Sequence, residues 1–271
     1  MEDKFIDIDQ LIKSKNPKLY RWMPNFVLRY LKKKIHQDDS NQVLADNKDA
    51  NGYEFSKAVL KELNIKVNIQ GLENVPKEGG VIFAVNHPLG GIDALAIIDE
   101  VYPLRNDLKF VVNDLLLQLP NLKDLFIGVN KHGSNSKASL QVLNEIFASD
   151  QAIFVFPAGL VSRKKKGKIE DLEWKKTFIT RAKKFKKNIV PIHIEGELSN
   201  FFYRLSNFRT TVGIKANIEM FYLVDELFNQ KNKTLNITIH PEVDYKTFTN
   251  DKTDLEWAQS VKEIVYSLPQ K

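Results

Sequence analysis

The chain contains no cysteine. That excludes disulfides, a thiolate nucleophile and cysteine-ligated zinc, and it agrees with a reducing compartment. Long apolar runs are also missing. A spanning helix needs ~18 to 20 uninterrupted apolar residues, and the richest window, residues 81–98, is broken by His87, Asp93 and two glycines. The start, MEDKFIDIDQ, is acidic and lacks the positive and then apolar segments of a secretory signal, so a cytoplasmic protein is expected. The five histidines show no metal-ligand spacing, so no metal is expected. No GxSxG nucleophile elbow, internal repeat or low-complexity tract is present.

What is there suits one large domain: 271 residues with 43% apolar content. The net charge of +6 matters less than its placement. Residues 11–35 hold eight Lys/Arg and no acid, residues 163–187 hold twelve against three acids, and the remainder is net acidic. Two basic zones on an acidic body imply docking onto something anionic. Nucleic acid is not the expected partner, because the cluster at 163–168 has no interleaved aromatics to stack on bases.

The first zone reads NPKLYRWMPNFVLRYLKKKI, with Pro17 and Pro24 each suited to a first helical turn. Two linked short helices are predicted. In the second, Phe26, Val27, Tyr30, Leu31 and Ile35 recur at three- and four-residue steps, with Arg29, Lys32, Lys33 and Lys34 largely elsewhere around it. Such a basic amphipathic helix either packs on its own core or lies on a membrane; Tyr20 and Trp22 favour the half-wet interface. We expect residues 1–63 to be an N-terminal helical docking segment, peripheral on an anionic cytoplasmic leaflet, and residues 64–271 to form an α/β domain.

Within 64–271 the period changes. Runs at 65–70, 81–85, 108–112, 152–157, 189–194 and 235–240 are rich in Val, Ile and Phe and read as strands. Segments 93–102, 136–149, 173–185 and 253–268, and 54–63 before them, have helical length and period. This alternation predicts an α/β sheet flanked by helices, with chemistry on the loops at strand ends.

Four strand ends carry polar, Gly or Pro exits. VIFAV leads into NHPLGGID, which places His87 and Asp93 on a turn loosened by Gly90 and Gly91. An imidazole beside a carboxylate takes a proton from a hydroxyl while the carboxylate fixes its tautomer. AIFVFP leads into FPAGLVSRKKKGK, whose Gly159 amide region and Arg163 suit an oxyanion or phosphate, against the plainer reading of a solvated basic loop. LFIGVNKHG ends in Asn130 and Lys131, and NIVPIHIEG holds Pro191. Trp174 and Phe178, four apart, read as helix packing, and His193, in an apolar run, as core.

In this order the blocks resemble the glycerolipid acyltransferases of the lysophosphatidic acid acyltransferase type, over roughly residues 65–200. The chain looks like a divergent bacterial, hemolysin-like branch. The resemblance implies a central mixed sheet flanked by helices. It implies transfer of a fatty acyl group from acyl-CoA or acyl carrier protein to a lipid hydroxyl, with no cofactor besides that donor. His87 would be the base and Asp93 its orienting partner. Asn86, Gly90, Gly91, Asn130, Lys131, Pro157, Gly159, Ser162, Arg163 and Pro191 would form the substrate site.

There are departures. Five residues separate His87 from Asp93 where the family has four. Ala158, Leu160 and Val161 replace the glutamate and the threonine-arginine of the third block, and the second block lacks its arginine. The expected acceptor is a lysophosphatidate-type lipid, or alternatively an N-acyl amino acid lipid of the ornithine or glycine type. A membrane-binding protein on the same fold, without catalysis, is the reading from a different class.

Overall fold

The computed structural model describes residues 6–113, 116–129, 137–215 and 217–267. It begins with four short helices, α1 (Ile8–Lys15), α2 (Pro17–Trp22), α3 (Asn25–Lys34) and α4 (Gln37–Asp46). Pro17 opens α2, and Pro24 stands just before α3, where the fixed proline φ suits a helix start. Then follow α5 (Tyr53–Glu62), β1 (Lys66–Gln70), β2 (Val81–Val85), α6 (Gly91–Val101), β3 (Leu108–Asn113), β4 (Phe126–Val129), α7 (Lys137–Ala148) and β5 (Ala152–Val155). A hairpin, β6 (Arg163–Lys165) and β7 (Lys168–Glu170), precedes α8 (Thr177–Phe185) and β8 (Asn188–Ile194). The chain closes with α9 (Asn200–Thr211), α10 (Leu223–Phe228), β9 (Thr234–Ile239) and α11 (Asp254–Tyr266). Among the described residues no helix is long and apolar enough to cross a membrane.

Two compact units result: residues 1–49 with 198–231, and residues 50–197 with 232–271. The boundary expected at 63/64 therefore moves. Helix α5 joins the second unit because Phe55, Val59 and Leu60 are buried there and the helix packs on α6. The first unit gains α9 and α10, two helices that no apolar period announces. Its distant parts are tied by polar contacts: Lys34 Nζ to Asp225 Oδ2 at 2.8 Å, His36 Nε2 to Asp225 Oδ1 at 3.0 Å, and Tyr30 to Tyr222 through their hydroxyls at 3.1 Å. The His36 ring also stacks on Phe228, 4.3 Å between centroids.

The second unit is a seven-stranded mixed sheet in the order β1-β9-β8-β2-β5-β3-β4. Every pairing is parallel except β8 with β9. Strands β2 and β5 lie in the middle and are buried at every residue, which is why they read as unbroken apolar runs. On one face Phe110, Phe154 and Phe83 form a cross-strand ladder, with centroid spacings of 4.6 and 4.3 Å. On the other, Ile82, Ala84, Ile153 and Val155 pack with Trp174, Phe178 and Ile179 and with Ala258, Val261 and Val265 of α11. This core anchors the C-terminal ends of β2, β5 and β8, where the expected site residues sit.

The hairpin corrects the expectation that 163–168 is loop, under either of its two readings. Lys166 and Gly167 both take positive φ (49° and 83°), the backbone of a tight two-residue turn, so the lysine run is folded into β6 and β7. Charge hid the strand pattern there.

Candidate active site

Strand β2 ends at Val85, and the next side chain extends its ladder. Asn86 accepts from the Ile194 N–H at 2.7 Å and donates to the Ile194 carbonyl at 2.9 Å, which fixes the exit of β2 to that of β8. Asn86 is buried. The chain then turns at Gly90, whose φ of 80° an L side chain rarely adopts, and enters α6 with Gly91 as its exposed first residue.

Asp93 lies in the first turn of α6 and is fully buried. Its Oδ2 receives the N–H groups of Leu89 (3.0 Å) and Gly90 (3.1 Å) and lies 2.9 Å from His87 Nδ1. The five-residue spacing thus closes, because the extra residue is absorbed in the glycine turn before the helix. Burial pushes the Asp93 carboxyl up from the ordinary carboxylate value, while the hydrogen bond and charge of His87 pull the other way. With Nδ1 engaged, Nε2 is the nitrogen free to take a proton. The imidazole is one-fifth exposed and lies against the Phe156 ring, 4.2 Å between centroids.

The loop after β5 is fastened to the loop after β2. The Ser162 N–H donates to the His87 carbonyl at 2.8 Å, and Ser162 Oγ donates to Asp171 Oδ1 at 2.6 Å. The same Asp171 oxygen receives the His87 N–H at 3.1 Å, while Asp171 Oδ2 receives the Trp174 indole at 2.8 Å. Burial raises the Asp171 carboxyl too, against the hydrogen bonds from Ser162 and Trp174.

Several expected substrate contacts take other positions. Gly159 donates its N–H to the Phe156 carbonyl at 2.9 Å, so this amide is engaged within the loop and not presented to an oxyanion. Ser162 is fully buried. Arg163, 5% exposed, turns inward and donates to the carbonyls of Val161 and Ser162. Pro157 is buried, its carbonyl receiving the Lys175 N–H at 3.1 Å, and the Lys175 ammonium stands 3.2 Å from where a Cβ on Gly159 would be. Pro191 lies within β8, paired with Ala84 of β2. Asn130 and Lys131 lie outside the described residues.

A cavity of about 210 Å³ opens beside this loop pair, lined by Asn86, Pro88, Ser162, His193, Glu195 and Tyr266 among others. His193 is therefore more than the core residue it was read as: its ring meets Tyr266 edge-on at 5.5 Å, and desolvation lowers its pKa to about 4. Asp171 and Tyr266 were missed because they meet partners 84 and 95 residues away in the chain, and the indole of Trp174, only three residues from Asp171, was missed with the carboxylate it bonds. Trp174 and Phe178 do pack, edge to face at 5.8 Å.

Residues 10–268 match the family described as Acyltransferase. The chain belongs to that family. This acyltransferase is 44% identical to the lyso-glycine lipid O-acyltransferase of Phocaeicola vulgatus over 266 residues, 97% of this chain and 95% of the relative. It is 43% identical to the lyso-glycine lipid O-acyltransferase of Bacteroides thetaiotaomicron, covering 97% of both chains. In fold it is similar to the crystal structure of the 1-acyl-sn-glycerophosphate (LPA) acyltransferase PlsC from Thermotoga maritima, with a TM-score of 0.50 and 20% identity over 92% of this chain and 100% of that one. The expected family and mixed α/β sheet are thereby established, and the protein is an enzyme that transfers acyl groups.

Proposed function

We propose that this acyltransferase moves a fatty acyl group from an acyl thioester, on acyl-CoA or acyl carrier protein, to the free hydroxyl of a lyso-glycine lipid. The observation that carries the reading is the His87–Asp93 pair with an unengaged Nε2 on a partly exposed imidazole. The acceptor comes from the two relatives above, whose names specify a glycine lipid lacking an O-linked acyl chain. Inward-turned Arg163, and the altered third block around Ala158, favour it over a lysophosphatidate, whose phosphate calls for outward cations.

In the reaction the acceptor hydroxyl gives its proton to His87 Nε2 as its oxygen bonds to the thioester carbonyl carbon. Asp93 holds Nδ1–H and stabilises the imidazolium. The tetrahedral adduct collapses, the carbon–sulfur bond breaks, and the imidazolium returns the proton to the leaving thiolate. Ester and thiol result, with no covalent enzyme intermediate.

The enzyme would work as a peripheral protein on an anionic leaflet. Among the described residues, all the large aromatic side chains exposed beyond about two-fifths belong to the first unit, including Trp22 (85%), Phe26 (67%), Phe221 (65%) and Phe208 (61%). Arg21, Arg29 and Lys33 are exposed beside the first two. Aromatics interleaved with cations suit the boundary between headgroups and acyl chains. The predicted stripe of α3 splits here: Phe26 and Tyr30 are exposed while Val27, Leu31 and Ile35 are half-buried, and the fully buried residue is Leu28, outside the stripe.

The test is thiol release by the purified enzyme on vesicles, from long-chain acyl-CoA and acyl carrier protein, offering lyso-glycine lipid and lysophosphatidate in parallel. Release dependent on lyso-glycine lipid and lost in His87→Ala is expected. Release only with lysophosphatidate would overturn the acceptor, and release indifferent to His87→Ala would overturn the mechanism. Vesicle sedimentation unchanged in Trp22→Ala/Phe26→Ala would remove the docking role from this pair.

A further inference from the structure

Asp171 is an unusual carboxylate to bury. It is 5% exposed, and no Lys, Arg or His pairs with its carboxylate among the described residues. The ammonium of Lys262 reaches its backbone carbonyl at 2.7 Å instead. Its two oxygens are held by three neutral donors: the His87 N–H, the Ser162 hydroxyl and the Trp174 indole. A buried anion without a counter-ion is costly, and a fold needing only a brace between two loops has cheaper neutral solutions. What distinguishes the position is its neighbour. The backbone it grips is that of His87, whose side chain becomes a cation during turnover.

We propose that Asp171 is a positioning residue for acyl transfer, holding the backbone of His87 against Ser162 and adding a second negative charge, beside Asp93, that favours the imidazolium. The inference rests on His87 being the general base. Coulombic attraction between two groups in a site poor in water is large enough to matter to a transition state that creates that charge. Asp171 also reaches further: its own N–H donates to the Tyr266 hydroxyl at 2.9 Å, so α11 is bonded to the catalytic loop through one residue.

Titratable and charged groups surround His87 from four parts of the fold. Asp93 faces it from α6 and Asp171 from the segment after β7. On α11, Tyr266 and Lys262 bond the Asp171 backbone. On β8 and its exit, His193 and Glu195 line the adjoining cavity. Of these, only Asp93 and Asp171 bond His87 directly.

The experiment measures kcat, KM for the acceptor and the pH–rate profile of Asp171→Asn, Trp174→Phe and the double variant on vesicles. Asn at 171 opposes an amide N–H to an oxygen-seeking donor, the Trp174 indole, and Trp174→Phe removes that donor. A brace that works only through hydrogen-bond geometry would recover in the double variant; a charge would not. The expected result is a kcat about tenfold to a hundredfold lower in both Asp171 variants, below the ~10²- to 10⁴-fold contributed by the general base itself, as befits a residue that acts through it. KM should stay within about twofold, and the acid limb of the profile should move to lower pH because the imidazolium has lost an anion. An acid limb at its wild-type position in a folded Asp171 variant would overturn the proposal. If both variants fail to fold, Ser162→Ala takes one donor from the carboxylate and keeps the backbone bond: a severalfold lower kcat supports the proposal and a wild-type kcat overturns it. Turnover that needs His87 but not Asp171 would sink this inference alone, whereas turnover that does not need His87 would sink the reading beneath it.

Discussion

His87 Nδ1 and Asp93 Oδ2 lie 2.9 Å apart with a five-residue spacer between them, Asp93 reaching back to the loop from the first turn of α6. Because Asp93 also takes two backbone N–H groups of the intervening loop, the carboxylate shapes the turn that delivers the histidine as well as holding its ring. The two roles separate experimentally.

Replacing His87 with alanine removes the proposed base and leaves the loop's backbone bonds in place. Acyl transfer should fall by about 10²- to 10⁴-fold with little change in melting temperature. Asp93→Asn should also lose turnover, because the charge that stabilises the imidazolium is gone, and its melting should change little: all three donors meet Oδ2, whose place the amide oxygen can take, and the NH2 then replaces a buried Oδ1 that has no partner. Assaying thiol release alongside thermal unfolding checks both.

Gly196 marks a close approach. A Cβ there would sit 2.7 to 2.8 Å from three side-chain atoms of Leu89, which is fully buried between His87 and Gly90. Gly196→Ala should cost about 1–3 kcal/mol by overpacking and lower kcat by displacing the loop. Combining it with Leu89→Ala should give less destabilisation than the two single losses added. Urea unfolding of the four proteins decides.

Stability should fall with acid through His193. Burial lowers its folded pKa to about 4 from an ordinary 6.5, so the unfolded chain binds this proton more readily. The neutral ring's contribution is complete above pH 6.5 and is lost as pH falls towards 4, a change of about 2–3 kcal/mol. His193→Gln should flatten that stretch of the stability curve. His240, lowered likewise by desolvation, leaves a shallower slope of the same sign. An unchanged slope in the variant would remove His193 from the account.

Asn86→Ala should strand the N–H and carbonyl of Ile194, both now bonded to its side chain. The expected cost is about 2 kcal/mol or more, with the ends of β2 and β8 loosened and turnover reduced. Hydrogen exchange at the Ile194 amide gives the local readout, and protection equal to wild type would contradict the assignment.

Legibility in the sequence followed the range over which each feature is encoded. The buried strands β2 and β5 and helix α6 announce themselves by unbroken apolar runs, and the His87–Asp93 pair lies within one turn. Helix α4 hid in a polar stretch and α9 in a segment without a clear stripe, because each buries only two or three of its residues, a polar one among them. Ser162 and Arg163 were visible as polar residues on a glycine loop, but nothing local says that they point inward. Asp171 was invisible for a related reason: amid a dozen cations it looks like charge balance, and its meaning comes from His87, 84 positions earlier.

The first unit is assembled from the two sides of a long excursion. Lys34 and His36 meet Asp225 only after the sheet-forming residues between them have been synthesised. The edge strand β1 likewise waits for β9, its partner from residue 234 onward. On the ribosome, the basic amphipathic start therefore emerges long before the segment that completes it. A message cut short before residue 198 would release a chain with neither a closed helical unit nor a protected sheet edge. Quality control by proteolysis has a ready handle in that intermediate.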